Sequence, residues 1–176
     1  MSEDTFPLPA TNDDYEAKIS HEITRLLRRS KGAEPEPFGD PLSGVVLVAE
    51  GSAGAANARL VDALRRSLAA VKLDRAYVTW SSSVLLEEIL SLEPTALVAI
   101  GPVAAHAIDS LGYPLVETEF SEAPEGSWFV WTKGSSGLRL PALAPALDDA
   151  DAKRRFWRTF LTLRELAPEG EPSSRS

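Results

Sequence analysis

Cysteine is missing from this chain of 176 residues, and histidine occurs only twice. Without cysteine, the chain has no disulfide, no thiolate nucleophile, no cysteine zinc site and no iron–sulfur ligand. The two histidines, His21 and His106, lie far apart in the sequence and form no metal-binding motif. We therefore expect neither a metal nor a cofactor.

Long apolar runs are missing as well. No stretch reaches the roughly 18 consecutive apolar residues that suggest a transmembrane helix. No basic start leads into an apolar core, which is the pattern of a secretory signal peptide. The sequence therefore predicts a cytoplasmic protein that does not interact with a membrane.

Basic residues are in the minority, with 18 Lys and Arg against 26 Asp and Glu, for a net charge of −8. A DNA duplex carries about one negative charge per 1.7 Å of its axis, so surfaces that bind DNA are usually basic. The charge balance favours protein partners and predicts that direct DNA binding is weak or absent.

The composition, with 44% apolar and 25% charged residues, is ordinary for one globular domain. Composition shifts divide the chain into five parts. We expect a flexible N-terminus (1–12), an amphipathic helix (13–31), a linker with three prolines and two glycines (32–43), an α/β domain (44–167) and a flexible tail (168–176).

The N-terminal helix is predicted from apolar residues spaced by four, four, three and one positions, which place them on one stripe. The helix either packs on its own domain or recruits another protein. In the second reading, the stripe is the partner-binding surface, formed by Tyr15, Ile19, Ile23, Leu26 and Leu27.

The α/β domain is centred on the stretch 93–108, EPTALVAIGPVAAHAI. Its apolar run is typical of a strand buried on both faces, and Gly101 with Pro102 then begins a helix of small residues. Helices separate four predicted strands, at 45–48, 75–80, 96–100 and 115–120. We therefore predict a three-layer α/β/α fold with a four-stranded, mainly parallel sheet.

Several local features complete this prediction. The loop 49–54 precedes a helix but lacks both phosphate-binding glycine motifs, so a tight turn is favoured over a nucleotide site. Residues 81–83 are expected to cap the helix 84–92. The alternating run 127–132 is predicted to form a hairpin with 138–140, and Asp148 and Asp149 to cap a final helix over 150–166.

Residues 45–166 resemble the uracil-DNA glycosylase superfamily in its short, iron–sulfur-type version. Val46-Leu47-Val48-Ala49-Glu50-Gly51-Ser52 corresponds to that family's strand and G-E-x-P-G loop, and Tyr77-Val78-Thr79-Trp80 to its Y-[VI]-T-N segment. The block 85–105 is similar to the family's helix–P–strand–G–x–x–A–A pattern, and PALAPA at 141–146 to its P-T-x-H-P-[AS] loop.

The residues that would carry glycosylase chemistry are nevertheless replaced. The family's histidine before proline corresponds to Ala144, its base-reading asparagine to Trp80, and its loop proline to Ser52. A glycosylase must hold a flipped base and stabilise the charge on the leaving uracil. We therefore expect no catalytic residue, and a residual pocket formed by Glu50, Ser52, Trp80, Ala144 and Pro145.

One non-catalytic family with this fold is the psi subunit of the bacterial DNA polymerase III clamp loader. Residues 143–149 resemble its S-P-A-L-x-D segment, and residues 152–157 resemble its A-R-x-x-L-W helix. In that family the N-terminal peptide contacts the clamp-loader ATPase subunits, and the globular domain binds the chi subunit. The resemblance predicts a non-catalytic adapter of DNA replication or repair.

Two other readings remain open. The chain is alternatively a glycosylase-like enzyme with an altered pocket, in which Glu50 acts on a damaged or deaminated base stacked on Trp80. It is also compatible with an uncharacterised structural or regulatory domain on the same fold.

Overall fold

The computed structural model describes residues 17–18, 20–22, 24, 36–50 and 55–166. The described residues between 17 and 24 are helical, and their side chains are exposed. Within the described part of the chain, no helix has the length and apolarity needed to cross a membrane.

The α/β domain is built on one five-stranded sheet in the order β2-β1-β3-β5-β4. Strand β4 pairs antiparallel with β5, and all other neighbours are parallel. The expected α/β class is confirmed, but the expected count of four strands is wrong. The strands are β1 Val45–Ala49, β2 Tyr77–Trp80, β3 Ala96–Ile100, β4 Phe129–Thr132 and β5 Ser135–Leu140.

The predicted strand at 115–120 does not form. Leu115 has a left-handed backbone with φ of 63° and is 86% exposed, a conformation and an environment that do not suit a core strand. Only Phe120 of this segment is buried, and it begins a short 3₁₀ helix, Phe120–Glu122. The fourth parallel strand is instead β5, which pairs with β3 from Ala96↔Ser136 to Ile100↔Leu140.

Helices cover both faces of the sheet. Helix α1 (Ala55–Ala70) packs on one face, together with α4 (Ala144–Asp148) and α5 (Ala150–Phe160). Helices α2 (Leu85–Leu92) and α3 (Pro102–Asp109) pack on the other face. The alternating strand residues explain this division, because Leu47 and Ala49 point to the first face and Val46 and Val48 to the second.

The predicted hairpin forms as β4 and β5, but its predicted pairing is wrong: β4 pairs with residues 135–137, and residues 138–140 pair with β3. Trp128 packs on the face of α1, whereas Phe129 and Trp131 pack on the opposite face, as the alternation predicts. Opposite Phe129 lies Gly137, where a Cβ atom would overlap the Phe129 ring. The phenyl ring therefore occupies the space left by the missing side chain.

Helix ends are partly as predicted. Asp149 caps α5 by accepting a hydrogen bond from the backbone N–H of Asp151 at 3.0 Å, as predicted. The predicted capping role of Asp148 is wrong, because Asp148 ends α4 and pairs with Arg59. After Phe160 the chain continues as a 3₁₀ helix, Leu161–Leu166. The expected serine cap of α2 is wrong, because the residue before this helix is Val84 and no side chain caps it.

Candidate functional site

The carboxyl ends of β1, β2, β3 and β5 meet at one edge of the sheet, as parallel pairing requires. The chain leaves β1 towards the face of α1 and leaves β3 towards the opposite face. Adjacent parallel strands whose connections diverge create a crevice, and this is where ligands bind in open α/β sheets. The candidate site is therefore the crevice between the ends of β1 and β3.

The crevice contains one small cavity among the described residues that surround it. Its volume is about 10 Å³, which is close to the smallest space that admits a single water molecule. Sites for small molecules usually measure roughly 300–1,000 Å³. The cavity therefore has no room for a base. Its walls are Ala49, Glu50, Leu60, Leu64, Trp80, Ile100, Leu143 and Ala144.

Trp80 is the largest side chain in this wall, at the last position of β2, and it is 5% exposed. Its indole Nε1–H donates a hydrogen bond to the backbone carbonyl oxygen of Glu36 at 3.3 Å. A buried indole generally needs such a partner for its one polar group. The ring is therefore packed as part of the core and does not present an open stacking surface.

Glu50 lies immediately after β1, where its carboxylate bridges the crevice. Its Oε1 atom accepts a hydrogen bond from the backbone N–H of Val103 at 2.9 Å. Val103 is in the first turn of α3, whose N–H groups have no partner within the helix. Glu50 thus caps α3 from a neighbouring strand, in the orientation that the helix dipole favours. The sequence had placed Glu50 in a residual pocket and had not predicted this capping bond.

Gly101 explains how the two sides of the crevice approach so closely. Its φ of 96° is in the region that favours glycine, and a Cβ atom there would lie 3.1 Å from Glu50 Oε1 and 3.2 Å from Ala142. Its N–H donates to the carbonyl oxygen of Leu140 at 2.9 Å. The crevice is therefore closed by protein atoms from β1, β3 and the segment after β5.

The other predicted pocket residues do not all meet here. Ala144 lines the cavity, but its methyl group can neither transfer a proton nor stabilise a negative charge. Pro145 lies instead in a neighbouring open groove of about 300 Å³, between α5 and the end of β5. Ser52 lies outside the described residues, as do the other residues of the loop at 51–54.

The neighbouring groove contains two guanidinium groups, and each of them binds oxygen atoms of the protein. Arg155 forms an ion pair with Glu125 at 2.5 Å. Arg139 donates from Nη1 to the carbonyl oxygens of Ser121 and Ala123, both at 3.3 Å. Both arginines therefore hold the segment that precedes β4 against the domain, and we assign no ligand to the groove.

A buried polar cluster lies on the face of the sheet that α2 and α3 cover, and the sequence analysis did not predict it. Glu88 of α2 is 2% exposed, and its Oε2 atom accepts hydrogen bonds from Thr79 Oγ1 at 2.8 Å and from Tyr77 Oη at 3.2 Å. Burial raises the pKa of Glu88, while the two hydroxyl donors oppose that rise. Burial, and secondarily the charge of Glu88, raise the pKa of Tyr77.

This cluster had a signal in the sequence. Leu85, Glu88 and Ile89 follow helical spacing and share one face of α2, and Tyr77 and Thr79 alternate on one face of β2. A carboxyl group placed on an apolar helix face opposite two hydroxyl groups indicates a buried hydrogen-bonded set. The cluster has no described opening to solvent, so we treat it as structural.

The predicted partner-binding stripe cannot be located. Tyr15, Ile19, Ile23, Leu26 and Leu27 all lie outside the described residues. Among the residues that the structure does describe, no group of three or more His, Asp or Glu side chains is arranged to hold a metal ion.

Comparison with models of known protein families gives no match to this chain, and a search of curated proteins finds none either.

Proposed function

We propose that this protein is a non-catalytic adapter with a uracil-DNA glycosylase-like fold, which binds protein partners in DNA replication or repair in the manner of the psi subunit. One observation carries the non-catalytic part of the proposal. The crevice where an α/β enzyme of this topology would hold its ligand is filled, with a cavity of only about 10 Å³.

The side chains around the crevice support the same proposal. A glycosylase needs a pocket for the base and a group that stabilises negative charge as the base leaves. Here Trp80 fills the space, Ala144 offers no polar atom, and the Glu50 carboxylate is bound to the N-terminus of α3. A base could enter only if Trp80 left its packed position.

The adapter part of the proposal rests on the N-terminal stripe and on charge. A stripe of five apolar residues within a segment of ordinary helical length is suited to bind a hydrophobic groove of another protein. The net charge of −8 favours a protein partner over a nucleic acid. The resemblance to the psi family suggests the clamp-loader ATPase subunits and the chi subunit as partners.

A co-elution experiment tests this function. The full chain would be mixed with purified clamp-loader ATPase subunits and with the chi subunit of the same genome, and each mixture would be examined by size-exclusion chromatography. We expect both to co-elute with the chain. The double variant Ile19→Asp, Ile23→Asp should lose the ATPase subunits, because charges on the stripe oppose docking in an apolar groove.

The matched control changes the other side of the same segment. The variant Ala17→Asp, His21→Asp adds the same two charges at the same spacing to two exposed helical residues opposite the stripe, and it should retain both partners. If neither partner co-elutes with the native chain, the adapter proposal is wrong. If the ATPase subunits remain bound to the Ile19→Asp, Ile23→Asp variant, the stripe is not the recruiting surface.

A further inference from the structure

Residues 36–40, part of the segment that the sequence suggests is a linker, lie along the outer edge of β2. We call these five residues the strap. Phe38 forms an antiparallel bridge with Val78, in which Phe38 N–H donates at 3.0 Å and Val78 N–H at 2.8 Å. The N–H of Asp40 donates to the carbonyl oxygen of Arg75 at 2.9 Å. The strap therefore occupies backbone groups that would otherwise form an open sheet edge.

Side chains add to these backbone bonds. Asp40 and Arg75 form an ion pair, and the Arg65 guanidinium of α1 lies 4.3 Å from the centre of the Phe38 ring. The N–H of Leu42, and secondarily Arg75, lower the pKa of Asp40, so this carboxylate stays charged at neutral pH. Both the ion pair and the contact between Arg65 and Phe38 lie at the protein surface.

Two glycines fix the path of the strap at its turn. Gly39 has a φ of 99°, and a Cβ atom there would overlap the carbonyl oxygen of Ala76. Gly44, with a φ of 79°, leads the chain into β1. Because Gly39 requires both a left-handed backbone and the absence of a side chain, its substitution should unseat the strap from the start of β2.

The strap is also joined to the candidate site. Since the strap runs antiparallel to β2, its first residue lies at the carboxyl end of that strand, where the Glu36 carbonyl oxygen accepts the indole N–H of Trp80 at 3.3 Å. Trp80 in turn forms a wall of the 10 Å³ cavity. The strap therefore begins beside the closed crevice.

We propose that the strap is a releasable latch that opens without unfolding the sheet. Its opening frees the outer edge of β2 and removes the hydrogen-bond partner that holds the Trp80 indole. The strap lies at an edge, and its Phe38 is only partly buried where it packs on the core, whereas β1 and β3 lie inside the sheet and are buried on both faces. Elements of that kind open locally, at a lower free-energy cost than global unfolding.

The latch adds a regulatory step to the proposed function. It rests on that function in one respect, namely that the N-terminal segment recruits the partner. A partner that binds this segment more tightly when the strap is released would shift the population towards the open latch. Release would lengthen the tether between the recruiting segment and the domain by the five strap residues. Partner binding at the recruiting segment would then affect the packing of Trp80 in the crevice, because release of the strap removes the Glu36 carbonyl oxygen from the Trp80 indole.

Hydrogen exchange on the full chain alone, measured amide by amide by NMR, tests the latch. In the native chain, the amides of Phe38, Asp40 and Val78 should exchange at least about tenfold faster than that of Val98 in β3. In Gly39→Ala they should exchange faster again by about tenfold or more, with Val98 unchanged, because the strain falls where the strap meets β2, and Val98 lies two strands away in β3. The exchange rate of the Trp80 indole proton should change together with that of the Phe38 amide.

Gly112→Ala is the matched control, because Gly112 also has a positive φ, of 64°, but has no neighbouring atom within 4 Å of the added Cβ. It should leave the exchange of Phe38 and Val78 as in the native chain. Arg75→Ala, which removes the ion pair with Asp40, is a second variant that should accelerate the same amides if Gly39→Ala fails to fold.

The latch is excluded if Phe38 and Val78 exchange as slowly as Val98 in the native chain. It is also excluded if both variants accelerate Val98 to the same extent as Phe38, since the strap and sheet would then open as one unit. No partner is present in this experiment, so its outcome does not depend on the co-elution test of the adapter.

Discussion

Glu50 illustrates how a carboxylate at the end of a parallel strand acquires a structural role. The sequence places an acid where the glycosylase family has one in its loop, and the structure directs that acid to the first turn of α3. The bond satisfies a helix N–H that has no partner within the helix. Resemblance identified the position of Glu50, whereas only the fold determines what its carboxylate binds.

Replacing Glu50 should therefore affect stability. We expect Glu50→Ala to lower the free energy of unfolding by about 0.5–2 kcal/mol, the usual cost of losing a helix cap. Chemical denaturation monitored by circular dichroism measures this difference. Asp62→Ala, which removes an exposed carboxylate paired with Arg66 on α1, is the control and should change stability by at most about 1 kcal/mol. A Glu50 variant as stable as the native chain would contradict the capping role.

Glu88 leads to a prediction about pH. Its pKa in the folded protein lies above the reference value of 4.5, so the folded state retains a proton that the unfolded state releases. The free energy of unfolding should therefore fall as the pH rises from about 4.5 through the folded pKa. Glu88→Gln should remove this decline, since an amide oxygen still accepts the hydroxyl groups of Tyr77 and Thr79 but does not titrate.

Urea denaturation between pH 4 and pH 8 measures the effect of Glu88→Gln. Above the folded pKa of Glu88, the stability of the variant should not decline with pH as that of the native chain does, because an amide acquires no buried charge. Glu165→Gln, an exposed position, should leave the pH dependence of the native chain intact. An identical pH profile for Glu88→Gln and the native chain would refute this account.

At the scale of elements, the sequence identified the buried parallel strands because such strands are continuous apolar runs. The strands predicted at 45–48, 75–80 and 96–100 are confirmed within two residues at each end. Strand β5, with the sequence SSGLRL, has no such run and was recognised only as half of a short hairpin. Tertiary packing made it a core strand, while the more apolar start at Leu115 remained outside the sheet.

Gly137 contributes to the pairing of β4 with β5, and its substitution tests that pairing. The Phe129 ring occupies the space beside Gly137 Cα, so Gly137→Ala should force the ring away and weaken the pairing of β4 with β5. We expect a loss of about 1–3 kcal/mol in unfolding free energy, as for other overpacked positions. Ser136→Ala, at the exposed neighbouring position, should cost less than about 0.5 kcal/mol. Equal effects of the two substitutions would show that Phe129 does not depend on this glycine.

The candidate site was only partly predictable from the sequence. Alignment of the motifs brought Glu50, Trp80 and Ala144 to one edge of the sheet, and the structure places all three around one cavity. The motif alignment did not predict that Pro145 faces a different groove. Successive residues of the short helix α4 are rotated by about 100°, so Ala144 and Pro145 point in different directions. Nor could the alignment reveal the bond from Trp80 to Glu36, which joins residues 44 positions apart.

At the scale of the whole molecule, a parallel sheet with helices on both faces directs its potential ligand site to the crevice between β1 and β3, and among the described residues that crevice is closed. A protein with this architecture and a filled crevice has its outer surfaces left for binding. The adapter proposal depends on this filled crevice. Its most direct consequence is that the protein should not excise bases from DNA.

A uracil-release assay on single-stranded and duplex DNA containing uracil tests this central claim most directly. The full chain should release no uracil above the protein-free blank, because the 10 Å³ cavity admits no base and the Glu50 carboxylate is bound to α3. Release above the blank that Glu50→Gln abolishes would contradict the account, since it would require both an open pocket and a reactive carboxylate.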